Sequence, residues 1–281
     1  METLKNGSSL NGVKMTDILL ANDWNLDRTI SFMHSWVPTS FKITFGYLAV
    51  VYLGQKWMKG RDAFDGPLMS GILAVWNFTF SIFSAFATYR LLPELLSSLK
   101  NTGFVGSYCE NGDYYTNPLT GYWGWMFVMS KAPELGDTMF LILRKRPVIF
   151  LHWYHHALTF LYAQITYSET QAWCRWSLAL NLIVHTIMYF YFGMQALKVR
   201  SPRYVAKFIT TIQILQFVIS CYIFSHLLWI KSTNSVPNCA VSWNVLSLGG
   251  LMYLSYLYLF AQFFYNSYLA PKKSKKVAKE E

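Results

Sequence analysis

Apolar positions in this chain run together in long stretches, and polar residues fall mostly in the short gaps between them. A run of about 20 apolar residues is what a helix needs to cross a hydrocarbon core of about 30 Å. Seven such stretches are predicted as helical spans, at roughly 37–55, 68–92, 122–143, 147–168, 173–196, 206–230 and 243–268. They divide the chain into an N-terminal segment (1–36), a seven-helix membrane bundle (37–268) and a basic tail (269–281). The expected fold class is an all-α membrane protein. No connection has room for a soluble domain of about 50 residues, so any chemistry is expected inside the bundle.

Composition supports this reading. Of 281 residues, 53% are hydrophobic, 18% aromatic and only 14% charged, against about 25% charged in a soluble domain. The opening METLKNGSSLNG lacks the basic start and apolar stretch of a cleavable signal peptide, so the first apolar segment is expected to insert itself. The net charge of +10 suits either nucleic acid or a membrane surface. The basic residues stand at the ends of apolar runs and no nucleic-acid motif accompanies them, which favours the membrane.

The basic residues also predict orientation. Lys56, Lys59 and Arg61 follow the first span, and Arg144, Lys145 and Arg146 the third. Lys198, Arg200, Arg203 and Lys207 follow the fifth, and the tail carries Lys272, Lys273, Lys275, Lys276 and Lys279. The intervening connections carry little beyond Lys100 and Lys231. The positive-inside rule then places the N-terminus in a lumen and the C-terminus in the cytosol.

Several polar side chains fall inside the spans, where a charge costs about 2.5–3.5 kcal/mol on insertion scales. The third span carries Lys131, Glu134 and Asp137 in SKAPELGDT. Lys131 and Glu134 are three apart and can pair on one helix face; a neutral pair that merely tightens packing would have the same spacing. Pro133 leaves one carbonyl of that span without its donor. The fourth span opens with LHWYHH, whose His152, His155 and His156 share one face. Asn181, His185 and Tyr189 recur by fours on the fifth span. Gln213 and Gln216 on the sixth suit helix association as well as chemistry. At 1.5 Å per residue, Glu134, Asp137, His155, His185, Tyr189, Gln213 and Gln216 fall in one layer about 9–16 Å below the basic surface. Helix association alone gives no reason for a shared depth, whereas a single buried site does.

A histidine cluster in a membrane first suggests iron. Di-iron desaturases and hydroxylases use several histidine boxes, however, and this chain has six histidines in all. His34 and His226 lie apart from the layer, so four can meet there. A single metal remains open, but no metal is expected. Non-metal chemistry fits better, since a buried, uncharged imidazole can serve as nucleophile or base. Glu134 or Asp137 could orient it. No serine elbow is present, and Cys221 lies deeper, where packing accounts for it.

The runs KAPELGDT (131–138), HWYHH (152–156), NLIVHTIMYFYF (181–192) and TTIQILQ (210–216) resemble the four signature boxes of the fatty-acid elongase (ELO) family, and order and spacing agree over about residues 30–270. One departure is Phe192, where family members often carry Tyr. The resemblance implies six helices around an acyl-CoA tunnel, with the first span outside it and often a homodimer. It implies condensation of a long-chain acyl-CoA with malonyl-CoA in the endoplasmic reticulum membrane, without a separate cofactor. The partners would be the reductases and dehydratase of the same cycle. Arg144, Lys145, Arg146, Lys198, Arg203, Lys207 and Lys272 would then face polyanionic CoA. Seven spans also describe receptors and transporters, but a receptor has no need of His, Glu, Asp and Gln at one depth. Tail length would be set near the lumenal helix ends, by residues such as Phe86, Tyr89, Trp173 and Trp176.

Of four cysteines, Cys109 and Cys239 fall in polar connections on the lumenal side, where thiols tend to pair. Their disulfide would close a loop of about 130 residues, contributing about 4–5 kcal/mol in the chain-entropy picture. The same topology makes Asn6 a glycosylation acceptor, while Asn77, buried in the second span, would stay unmodified.

Overall fold

The computed structural model describes residues 12–271; Asn6, Lys272 and the rest of the basic tail lie outside the described residues. Every regular element among the described residues is helical. In chain order these are α1 (Thr16–Leu19), α2 (Leu26–Met58), α3 (Pro67–Cys109), α4 (Pro118–Glu134), α5 (Gly136–Leu143), α6 (Phe150–Ser168), α7 (Cys174–Ala196), α8 (Arg203–Thr233) and α9 (Trp243–Phe264). A single π turn, Tyr265–Leu269, continues α9.

Local chemistry sets the helix ends. Asn25 caps α2 by accepting from Arg28 N at 2.8 Å, and Asn117 caps α4 by accepting from Leu119 N at 2.9 Å. Pro67 and Pro118 occupy first-turn positions, where the missing N–H costs nothing. The helix α8 ends on Asn234 in the left-handed region.

Two elements run well beyond their predicted limits. The helix α2 starts at Leu26 rather than 37, because its capped first turns bury Thr29, Phe32 and Met33. The helix α3 does not stop at 92: it passes through Pro93 and ends only at Cys109, kinked at Gly103 with φ 73°. Its last turns bury Gly106, Ser107, Tyr108 and Cys109, which holds the extension in place. The third predicted span is two helices, α4 and α5, separated at Leu135. Pro133 has no N–H to offer, and Leu135 N bonds three residues back to Ala132 O at 3.2 Å.

Among the described residues, four helices are long and apolar enough to cross a membrane: Pro67–Cys109, Cys174–Ala196, Arg203–Thr233 and Trp243–Leu269. The chain is a multi-pass membrane protein. The three other predicted stretches also fall on helices: α2 holds the first, α4 and α5 divide the third into helices of 17 and 8 residues, and α6 holds the fourth with its three histidines. Large apolar side chains such as Phe45, Val75, Ile82 and Leu251 cover the outside of the bundle.

Helix neighbours form a closed circuit, α3–α7–α8–α9–α6–α4 and back to α3, with α2 packed along α6 and α5. The helices α6, α8 and α9 approach closely at Gly249, where the Tyr162 hydroxyl and the Phe224 ring fill the space of a Cβ. One end of the bundle is sealed. There Cys109 and Cys239 form a disulfide, with Cα atoms 4.3 Å apart, joining α3 to the α8–α9 connection. Buried Arg175 binds Glu94 at 3.1 Å and donates to the carbonyls of Ser107, Glu110 and Asn111 at 2.9, 2.6 and 2.7 Å. Gln171 accepts from Tyr115 through its carbonyl (2.8 Å) and from Ser242 N through its side chain (3.0 Å).

Candidate active site

Away from the sealed end, the bundle encloses a cavity of about 640 Å³. It receives His152, His155 and His156 from α6, Asn181, His185 and Tyr189 from α7, Asp137 from α5, and Gln213 and Gln216 from α8. The residues that sequence spacing assigned to one depth thus line one space. Lys131 and Glu134 lie behind the wall, both almost fully buried.

Two polar networks order this wall. In the first, Lys131 Nζ donates to Glu134 Oε1 and Oε2 at 2.8 and 3.1 Å and to Asn181 Oδ1 at 2.9 Å. Lysine has only donors, so the Asn181 atom facing it must be oxygen. That turns the Asn181 amide N–H₂ toward His185 Nε2, 3.2 Å away. His185 Nε2 accepts there, which leaves its proton on Nδ1, 3.8 Å from Glu134 Oε1. Nε2 of the His185 imidazole is therefore committed within the wall, while Nδ1 faces the Glu134 carboxylate beyond hydrogen-bond distance.

The second network centres on Asp137. Its Oδ1 accepts from Trp76 Nε1 at 2.6 Å and its Oδ2 from Tyr189 OH at 2.7 Å. His156 Nε2 lies 4.0 Å from Oδ2. Beside it, Thr138 Oγ1 meets Tyr47 OH at 2.7 Å and His152 Nε2 at 3.1 Å.

His155 is held mainly by ring packing. Its ring packs on Tyr256, Phe260 and Phe217, with centroids 4.8, 5.8 and 6.3 Å away. Tyr256 OH donates to its carbonyl at 3.2 Å. Among the described residues the imidazole nitrogens of His155 and of His156 alike have no hydrogen-bond partner, and both rings border the cavity. Apolar packing thus holds the His155 imidazole while leaving its nitrogens available. Nearby, Gln213 Nε2 meets Met188 Sδ at 3.2 Å, and Gln216 Oε1 is buried without a partner among the described residues. An acceptor left unpaired beside a cavity suits a ligand donor. No group of three His, Cys, Asp or Glu among the described residues could hold a metal ion together.

Of the basic residues expected around the mouth, Arg144 and Arg146 line the cavity. Lys145 turns to the α2–α3 connection, its Nζ lying 2.6 Å from Arg61 O. Lys198 ends α7 at φ 61°, Arg203 opens α8, and Lys207 lies 5.7 Å over the Phe264 ring; none of these three borders the cavity. Phe217 lines the cavity. Beyond it the bundle is filled by Tyr253, Tyr256, Phe224, Trp173 and Tyr162, an aromatic column with centroid spacings of 4.7–6.4 Å. Trp173 belongs to that column, but Phe86 and Tyr89 are exposed on the outer surface and Trp176 donates to Ser107 Oγ at 2.9 Å.

Sequence reasoning missed Trp76, Tyr47 and Tyr256. Each is an aromatic in an apolar run, and one-dimensional spacing carries no sign that its N–H or O–H reaches across to another helix.

The pattern of the ELO family, described as GNS1/SUR4, matches residues 31–276. A Caenorhabditis elegans protein named long chain fatty acid elongase 2 is 64% identical over 263 residues, spanning 94% of this chain and 95% of its own length. A Drosophila melanogaster protein named very long chain fatty acid elongase 6 is 37% identical over 260 residues, spanning 92% of this chain and 81% of its own. A Mus musculus protein of the same name is 36% identical, spanning 92% and 94%.

Proposed function

The chain belongs to the ELO (GNS1/SUR4) family of fatty acid elongation enzymes, and from that premise we propose that it is the condensing enzyme, a 3-oxoacyl-CoA synthase. It joins a long-chain acyl-CoA with malonyl-CoA, giving a 3-oxoacyl-CoA two carbons longer, CO₂ and free CoA. Six of the seven spans surround the site, the first lying outside them, with the N-terminus lumenal and the C-terminus cytosolic in the endoplasmic reticulum membrane. The reductases and dehydratase of the cycle follow it, and it acts alone or as a homodimer.

The observation that carries the reading is the availability of two imidazoles at the cavity, His155 and His156, of which His156 has the Asp137 carboxylate 4.0 Å away, while the other polar residues are largely committed to one another. An imidazole nitrogen of His155 attacks the thioester carbonyl. The C–S bond breaks, the imidazole proton leaves with the departing thiolate, and an acyl-imidazole and CoA result. Malonyl-CoA then loses CO₂, and the carbanion so formed attacks the acyl carbon. The C–N bond breaks and the imidazole regains a proton. Over both steps one proton is consumed. His185, Asn181 and Gln213 border the space in which the enolate charge develops. Asp137 sets the position of Tyr189 and the environment of His156. The tail extends past Phe217 along the aromatic column, whose rings must part to admit it.

Thiol release tests the reaction. Purified protein given acyl-CoA and malonyl-CoA should free CoA and form a product two carbons longer. Release of thiol without a longer product would mean hydrolysis, and no release would remove the condensing assignment.

A further inference from the structure

The α2–α3 connection (59–66) is fastened to the turn before α6. Phe64 N bonds to Leu143 O at 3.0 Å, and Lys145 Nζ reaches Arg61 O at 2.6 Å. These bonds deliver Asp65 to the rim of the cavity. There Arg144 Nε and NH2 donate to its Oδ1 at 3.2 and 2.9 Å, and Arg146 NH2 donates to its Oδ2 at 3.2 Å. One carboxylate thus holds the two guanidinium groups that border the cavity mouth. Hydrogen bonding and charge from Arg144, and then the Arg146 guanidinium, keep the Asp65 carboxyl below the usual carboxylate range. The trio carries net positive charge. Each guanidinium has five N–H donors, so N–H groups remain on both for a second anion.

We propose that Asp65 is a positioning residue for anion recognition, orienting Arg144 and Arg146 as a paired site for the phosphate groups of a CoA thioester. This rests on the condensing-enzyme reading for the identity of the ligand, while the anion site follows from the geometry. Arg146 is more than half exposed along its side chain, and unpaired it would have many rotamers to lose on binding. Asp65 confines it beforehand, next to a second guanidinium that meets the other carboxylate oxygen. Charge alone argues the opposite way, because removing a carboxylate near an anion site should tighten anion binding. The sign of the effect therefore separates positioning from simple competition.

The test is the affinity of the full chain for CoA and for pantetheine, which lacks the phosphates, measured by titration calorimetry at low ionic strength. Asp65→Asn should weaken CoA binding about three- to tenfold, the scale of ordering one or two long side chains. Pantetheine binding should not change, and Asp65→Glu should recover most of the CoA affinity. Unchanged or tighter CoA binding in Asp65→Asn would overturn the proposal. An equal loss for CoA and pantetheine would also overturn it, by marking a general disturbance of the mouth. Because neither ligand reacts, this result stands apart from thiol release by the unaltered protein, whose failure would count against the condensing reading alone.

Discussion

Trp76 donates its indole N–H to Asp137 Oδ1 across 2.6 Å, from the N-terminal part of α3. With Tyr189 on the other oxygen, the buried carboxylate is satisfied on both sides. Trp76→Phe keeps most of the ring volume and removes the donor. We expect a loss of about 1–3 kcal/mol in stability, the usual cost of a buried acceptor without its partner, and a fall of about tenfold in turnover. Thermal unfolding and condensation rate check this; normal values for both would make the contact incidental.

Lys131 serves Glu134 and Asn181 at once. Lys131→Met leaves Glu134 buried without its cation, which should cost about 3–5 kcal/mol. The double variant Lys131→Met, Glu134→Gln removes both charges and should recover most of that stability. It should not recover turnover, because nothing then fixes the Asn181 amide toward His185. A stable double variant with normal turnover would reduce the network to packing.

How much of this was legible in the sequence differs by element. The histidine face was legible because 152, 155 and 156 stand at helical spacing, and so were Asn181, His185 and Tyr189 at every fourth position. The disulfide partners were legible from topology alone and are joined in the structure. The interruption near Leu135 was half legible, since Pro133 marked the weak point without showing that the helix would divide. The extension of α3 through Pro93 was not, because its support comes from packing near Cys109 that no local pattern records. The outward orientation of Phe86 and Tyr89 was hidden for a related reason: an almost wholly apolar helix shows little difference between its lipid face and its packed face.

Phe217 lines the cavity and packs on Tyr256 of the aromatic column, with ring centroids 5.5 Å apart. Phe217→Ala should open space toward Tyr253 and Phe224 and shift the product distribution toward longer chains, by one or more rounds of two carbons. Chromatography of the acyl products decides it. An unchanged distribution, with folding and rate intact, would place the length limit elsewhere.

The disulfide joins positions 130 apart in sequence. Cys109→Ser and Cys239→Ser should lower thermal stability by similar amounts, and the double variant should lower it no further. In unreduced, denatured protein neither cysteine should react with maleimide. Strongly unequal single variants would mean that one position acts through packing instead.

The central claim is that His155 carries the acyl group. The direct measurement is mass spectrometry of the protein quenched after incubation with acyl-CoA in the absence of malonyl-CoA. The account predicts one acyl adduct on the peptide containing His155, discharged when malonyl-CoA is added and absent from a folded His155→Ala variant that no longer turns over. An adduct confined to another residue, or near-normal turnover in His155→Ala, would contradict it.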